Sequence, residues 1–137
     1  NFPLRMLRLV KDAEAAGKPV MPIEKAVWRL TGEIADWFGL DAGYIKEGAR
    51  ADICVLDPAG INADVDAFAE APMPGFGGLV RLVRRNDRAV RAVFVNGRRA
   101  VADGQPLPEV GRERGFGRYL GHQGVGAPTQ APATPVS

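Results

Sequence analysis

The chain has 137 residues, of which 46% are hydrophobic and 25% charged, a composition typical of one globular domain or of part of one. No apolar run approaches the roughly 18 residues that a membrane helix needs, and no signal peptide is visible, so no membrane partner is expected. A single cysteine, Cys54, excludes an internal disulfide and predicts a reducing compartment, the cytoplasm.

The formal net charge of +2 is unevenly distributed along the chain. Residues 1–74 carry 8 basic and 12 acidic side chains, whereas residues 75–137 carry 10 basic and 4 acidic ones. A basic half favours nucleic acid or another anionic ligand, but here aromatic residues do not alternate with the arginines and no nucleic-acid motif is present. The sequence therefore predicts a solvated arginine-rich face and no nucleic-acid partner.

Two helices are predicted at the start of the chain. Residues 3–16 place Leu4, Leu7 and Val10 on one face and charged side chains on the other. Pro22 fits the start of a second helix. The apolar residues of this helix follow the spacing of one buried face: Ile23, Ala26, Val27 and Leu30.

A third helix is predicted between Thr31, whose hydroxyl suits an N-cap, and Gly39, which suits a left-handed stop. Its apolar face comprises Ile34, Trp37 and Phe38.

Residues 44–48 and 51–57 are predicted to be strands. Residues 53–56 are apolar without alternation, which predicts a strand covered on both faces. Cys54 is accordingly predicted to be a small core residue, since no histidine or second cysteine lies in range to make it a metal ligand or nucleophile.

Residues 59–78 form a predicted Gly/Pro-rich loop, with one helical turn at 64–69. Residues 79–83 fit a strand or a helical turn. A strand at 89–95, the Asn96-Gly97 turn and a returning strand at 98–101 form a predicted hairpin, which Asp103-Gly104 and two prolines end.

The remaining sequence is rich in glycine, arginine, proline and alanine. Residues 109–124 form a Gly/Arg-rich segment that Phe116, Tyr119 and Leu120 are expected to anchor. His122 is the only histidine, and without acidic or cysteine companions it makes a poor metal ligand. Residues 125–137 are predicted to be disordered.

The order and spacing of several motifs resemble the C-terminal end of the amidohydrolase superfamily, in particular its D-aminoacylase (N-acyl-D-amino-acid deacylase) branch. The resemblance covers roughly residues 2–120. The matching pieces are Leu30-Thr31, Gly39-Leu40-Asp41, Gly43, Ile45, Gly48, Ala51-Asp52-Ile53, Val55-Leu56-Asp57-Pro58 and Val93-Phe94-Val95-Asn96-Gly97.

The resemblance implies an α+β partial domain. Residues 1–40 would be the terminal helices of a (β/α)8 barrel. Residues 41–108 would supply the C-terminal strands of the accompanying small β-sandwich, followed by the 109–124 segment and the 125–137 tail. It also implies that the parent enzyme uses zinc to hydrolyse a non-peptide C–N bond, with a small-molecule N-acyl amino acid as substrate.

The ligands of that zinc centre are absent from the sequence pattern. The family uses a His-x-His pair and further histidines, whereas this chain has one histidine. We therefore assign no catalytic, cofactor-binding or metal-binding residue to it. Asp52 and Asp57, which flank the buried strand, are interpreted as turn and edge residues that hold backbone donors.

Two further hypotheses follow from the sequence. Because the chain begins at Asn1-Phe2-Pro3 rather than at methionine, we expect it to be cut from a longer protein. Because the strand at 53–56 is apolar on both faces, we expect the chain to fold only against the missing N-terminal portion or in a homo-oligomer. Arginines 81, 84, 85 and 88 fit either a site for a substrate carboxylate or a solvent-facing turn.

The alternative function is a stand-alone, non-catalytic α+β interaction or binding module. The sequence upstream of Asn1 distinguishes the two, since only an amidohydrolase should carry a His-x-His there. A basic nucleic-acid binder is the third possibility, and it predicts salt-dependent retention on DNA.

Overall fold

The computed structural model describes residues 1–73, 75–83 and 86–121. Three helices come first and short strands follow, so the predicted α+β class is confirmed. The helices are α1 (Phe2–Ala15), α2 (Ile23–Leu30) and α3 (Gly32–Phe38). The strands are β1 (Ile53–Leu56), β2 (Ala69–Pro72), β3 (Val80–Val83), β4 (Val90–Val95), β5 (Arg98–Ala102) and β6 (Gln105–Pro106). Two 3₁₀ turns, Pro58–Gly60 and Ala63–Asp66, lie between β1 and β2.

The strands form two antiparallel sheets. The larger has the order β1-β4-β5-β6, and β2 pairs with β3 alone. Cys54 lies opposite Val93, and Val93 lies opposite Val101. β1 is therefore an edge strand of the larger sheet, and its partner β4 is distant in sequence.

Two tight turns close the larger sheet. Asn96 and Gly97 adopt positive φ angles of 52° and 80°, which is the backbone of a mirror-image hairpin turn, as the Asn-Gly signal predicts. Asp103 and Gly104 repeat that geometry at 47° and 75°. Asp103-Gly104 ends β5, as predicted, but the turn also leads into β6, which the sequence did not predict.

The core lies between the helices and the segments around the 3₁₀ turns. Leu4, Leu7 and Val10 are buried on α1, as their spacing predicts. They belong to one cluster with Ala26, Ile61, Val65 and Ala89. Gly60 permits a close approach at this point, since an added Cβ would lie 2.3 Å from the Arg88 carbonyl oxygen.

The N-terminus of α1 is held by side-chain amides rather than by a cap. The Asn1 amide donates to the Val65 carbonyl, and the amides of Asn1 and Asn86 exchange two hydrogen bonds of 3.0 Å each. Lys11 extends from the same helix to donate to the carbonyls of Pro58 and Ile61, at 2.7 and 2.9 Å. These contacts fasten α1 to loops far away in sequence.

Two predictions about residues 31–48 were wrong. The Thr31 hydroxyl does not cap α3; it donates to the Val27 carbonyl at 2.9 Å, because Thr31 also ends α2. Residues 44–48 form no strand. Gly43 and Gly48 turn the chain at positive φ, and the Tyr44 hydroxyl donates back to Asp36 on α3.

The prediction that both faces of β1 are buried was wrong for the part of the chain that the structure describes. Ile53 and Leu56 are half-buried, whereas Cys54 and Val55 are exposed. Cys54 is therefore not a core residue in the described part of the chain. The physical reason is that β1 is an edge strand and the described residues supply no layer to cover it.

Candidate functional site

The described residues hold no group of three or more His, Cys, Asp or Glu side chains close enough to bind a metal ion. The zinc that the resemblance implies for the parent enzyme thus has no ligand set in this part of the chain, and we assign no chemical step to it. His122 lies outside the described residues.

Asp52 and Asp57 serve as backbone acceptors, as predicted. Asp52 Oδ1 accepts from the Asn96 N–H at 2.6 Å, and Asp57 Oδ1 accepts from the Ala59 N–H at 2.9 Å. Asp57 thereby caps the first 3₁₀ turn, and Asp52 joins the start of β1 to the β4–β5 turn. Both roles are structural.

The arginine group predicted around residues 81–88 is only partly visible. Arg81 is exposed on β3, and Arg88 lies 3.7 Å from Asp64 with both side chains largely exposed. Arg84 and Arg85 lie outside the described residues. The carboxylate site that these arginines were expected to form stays a prediction.

An apolar cleft of about 540 Å³ lies between α1, α2, the Gly43–Ile45 turn and β1, and we call it the helix–sheet cleft. Its walls are chiefly apolar side chains, with Glu24 and Asp52 as the acidic members. Its lining includes Leu4, Leu7, Val27, Trp28, Leu30, Tyr44, Ile45, Ile53, Cys54, Leu56 and Val90.

Several residues of the cleft are exposed although their chemistry favours burial. Ile45 is 88% exposed, and Val27, Trp28 and Tyr44 are also open to solvent. Sequence periodicity placed Val27 on the inner face of α2 but could not locate the surface that it faces. Exposed apolar side chains grouped in this way are typical of an interaction surface.

A second apolar hollow, of about 680 Å³, lies on another side of the helices. Phe2, Met6, Ile34 and Trp37 line it, and Trp37 is 82% exposed. The predicted apolar face of α3 therefore exists but is not covered by the described residues. The helices present uncovered apolar surface in two places.

Cys54 opens onto the helix–sheet cleft. Partial burial raises the pKa of its thiol, since the surroundings disfavour the thiolate. A thiol of this kind reacts slowly at neutral pH even where reagents reach it. Because Cys54 faces the cleft, its reactivity with a thiol reagent shows whether the cleft is covered.

Tyr44 stands at the rim of the same cleft. Its hydrogen bond to the Asp36 carboxylate raises the pKa of the phenol, because ionisation would break that bond and place two negative charges together. The residue links the turn after α3 to α3 itself.

The Gly/Arg-rich segment is fastened to the larger sheet. Arg98 donates to Glu113 at 2.8 Å, and its guanidinium carbon lies 4.1 Å from the centre of the Phe116 ring. Phe116 therefore anchors the segment, as predicted. Tyr119 is 94% exposed, so its predicted anchoring role was wrong.

Comparisons with known proteins give one long and one short similarity. Uncharacterized proteins of Mycobacterium tuberculosis and Mycobacterium bovis are each 44% identical over 131 residues, which is 93% of this chain and 21% of theirs. A dihydroorotase of Bacillus cereus is 45% identical over 56 residues, 41% of this chain and 12% of that enzyme. No family model and no solved structure matches.

The chain spans about a fifth of the length of the mycobacterial relatives that it matches. Part of it is similar to dihydroorotase, which is a member of the amidohydrolase superfamily. This similarity extends to the superfamily and does not select a branch within it.

Among the described residues, none of the helices is both long enough and apolar enough to cross a membrane.

Proposed function

We propose that this chain is the C-terminal structural portion of a metal-dependent amidohydrolase that hydrolyses a non-peptide C–N bond. The observation that carries the proposal is the uncovered helix–sheet cleft, in a chain that spans about a fifth of its mycobacterial relatives. The partial similarity to dihydroorotase supports the reaction class.

In this proposal the chain stabilises an active site that lies elsewhere in the polypeptide. Its three helices are the last helices of a (β/α)8 barrel, and β1, β4, β5 and β6 are its share of a small sandwich. The preceding part of the polypeptide covers the helix–sheet cleft and supplies the zinc ligands. The cytoplasm is the proposed location.

The finer proposal is that the parent enzyme is an N-acyl-D-amino-acid deacylase. It is supported by the motif order from Gly39-Leu40-Asp41 to Asn96-Gly97. Zinc would polarise the acyl carbonyl and activate a water molecule there. Scaffolds of this kind serve several hydrolases, so the substrate must be measured rather than inferred from the fold.

The reaction class is tested on the gene product that contains these residues. It should contain zinc, lose activity on chelation and regain it with added zinc. Release of D-amino acids from N-acetyl-D-amino acids supports the deacylase proposal, whereas ring opening of dihydroorotate alone would replace the deacylase by a cyclic amidase. A metal-free gene product without either activity contradicts the proposal.

The proposal that the preceding part of the polypeptide covers the helix–sheet cleft can be tested at Cys54. Alkylation with iodoacetamide, followed by mass spectrometry of the peptide that contains Cys54, should stay slow in the native gene product even when the pH is raised to ionise the thiol, and should be fast after denaturation. Rapid alkylation in the native protein would show an open cleft. That result, together with a missing His-x-His upstream, would favour a non-catalytic interaction module.

A further inference from the structure

A small pocket of about 120 Å³ lies where the Leu40–Arg50 segment folds back on α3, and we call it the loop pocket. Five of its lining residues are polar or charged: Asp36, Asp41, Tyr44, Lys46 and Arg50. It is separate from the helix–sheet cleft except that Tyr44 borders both.

Arg50 has an unusual environment in this pocket. Its side chain is only 15% exposed, yet its two hydrogen bonds to described residues are at the 3.5 Å limit. Both use Nη1, which reaches Asp52 Oδ2 and the Arg118 carbonyl oxygen. Good hydrogen bonds from a guanidinium are 2.7–3.2 Å long, so these two are weak.

The remaining donors of Arg50 have no partner in the described part of the chain. A guanidinium has five N–H groups, and neither Nε nor Nη2 donates to a described residue. No nitrogen of Arg50 is both fully buried and without a hydrogen-bond partner. The Nε and Nη2 groups are therefore accessible from the pocket or from solvent. The planar arrangement of Nε and Nη2 matches the two oxygens of a carboxylate.

Lys46 adds a second positive charge to the pocket. Its ammonium lies 5.9 Å from the Tyr44 ring centre, and it forms no ion pair with a described carboxylate. Asp36 already accepts the Tyr44 hydroxyl, and Asp41 is exposed. The two aspartates offset the two positive charges of the lining, so the pocket disfavours a multiply charged anion, and the attraction for a single carboxylate must come from the Arg50 donors that have no partner among the described residues.

We propose that the loop pocket binds one compact carboxylate, with Arg50 as its principal binding residue and Lys46 as a supporting charge. The pocket volume limits the occupant to a few heavy atoms around the carboxylate. The carboxylate comes either from a small molecule in solution or from an acidic side chain of the polypeptide outside residues 1–137. The small-molecule source is independent of the proposed function, whereas the polypeptide source rests on it.

The test measures hydrogen exchange of the Arg50 Nε–Hε group by NMR in the gene product labelled with ¹⁵N-arginine. The Arg50 signal is assigned as the one that disappears in the Arg50→Lys variant. A bound carboxylate slows hydrogen exchange of this group. If the small molecule is the source, exchange slows only when sodium acetate is added, and sodium phosphate at the same concentration has a smaller effect. If the polypeptide is the source, exchange is slow without acetate, and its protection relative to free arginine at the same pH falls below about pH 4, where carboxylates protonate.

Two variants provide the controls. Arg50→Met should weaken acetate binding about tenfold or more, since charge-assisted hydrogen bonds are lost. Arg91→Met removes an exposed arginine that pairs with Asp103 at 2.9 Å and should leave acetate binding unchanged. The proposal is overturned if Arg50 Nε–Hε exchanges as fast as that of Arg91 under every condition, or if phosphate slows it more than acetate does.

Discussion

Asp52 and Asn96 are 44 residues apart in sequence, yet the Asp52 carboxylate accepts the Asn96 backbone N–H at 2.6 Å. The bond joins the residue before β1 to the first residue of the β4–β5 turn. Next to it, the Gly97 N–H donates to the Ala51 carbonyl at 2.9 Å. The hairpin turn is therefore held at both central residues by the segment that leads into β1.

Replacing Asp52 by alanine should loosen that turn. The change removes a charged acceptor and leaves the Asn96 N–H to water, with an expected cost of about 1–2 kcal/mol. Hydrogen exchange of the Asn96 amide is the measurement, and it should accelerate at least tenfold. Asp52→Asn keeps an acceptor oxygen and should retain part of the protection; equal exchange in all three proteins would refute the contact.

The two glycine turns of the larger sheet should respond differently to alanine. Gly97 and Gly104 both have positive φ, so each change costs about 1 kcal/mol of backbone strain. At Gly97 the nearest atom to an added Cβ is 3.9 Å away, whereas at Gly104 the Asp87 Cα would be 2.2 Å away. Gly104→Ala should therefore cost about 3 kcal/mol or more, since the backbone must move. Thermal unfolding compares the two, and similar melting temperatures would contradict the close approach at Gly104.

Lys11 should stabilise the contact between α1 and the first 3₁₀ turn. Lys11→Met keeps most of the aliphatic stem but removes the donor to the Pro58 and Ile61 carbonyls, at an expected cost of about 1–2 kcal/mol. Lys18→Met is the matched control, because Lys18 is exposed and its side chain forms no hydrogen bond or ion pair with a described residue; it should change stability by less than about 0.5 kcal/mol. Urea unfolding separates the two outcomes, and an equal effect would show that Lys11 acts only through its charge.

Tyr44 should titrate above its ordinary pKa of 10.0, because Asp36 accepts its hydrogen bond. A pKa that is higher in the folded state means that the stabilisation is complete below pH 10 and is lost as pH rises through the folded value. The ultraviolet absorbance of tyrosinate, assigned by Tyr44→Phe, measures the titration. Asp36→Ala should lower the Tyr44 pKa, and an unchanged value would exclude Asp36 as its cause.

Local signals in the sequence were sufficient for the helices and for one hairpin. Leu4, Leu7 and Val10 repeat at helical spacing, and Asn96-Gly97 suits a turn with two positive φ angles. These patterns depend on backbone geometry and on which face of an element is apolar. Neither requires knowledge of distant residues.

The missed elements depend on partners that are not adjacent in sequence. β2 contains Pro72 and little strand propensity, and it exists because Ala69 to Pro72 pair with Val83 to Val80. β6 is only two residues long and follows the Asp103-Gly104 turn, which was predicted only to end the preceding strand. The exposure of Cys54 could not be predicted, because an apolar strand does not specify which chain segment will cover it.

The candidate surfaces were predictable only in part. The backbone roles of Asp52 and Asp57 follow from acidic residues at the ends of a strand. The loop pocket could not be predicted in this way. It forms because the 44–48 segment, which was predicted to be a strand, folds back towards α3. The sequence signal that could have found it is the pair Gly43 and Gly48 around Lys46.

The pairing of β1 with β4 has a consequence for synthesis of the protein. Residues 53–56 leave the ribosome well before residues 90–94, with which they pair, and the β2–β3 ribbon is made in between. β4, β5 and β6 follow one another through tight turns and can assemble as soon as they emerge. The nascent chain therefore carries an unpaired apolar strand during translation, and we expect chaperones to engage it there.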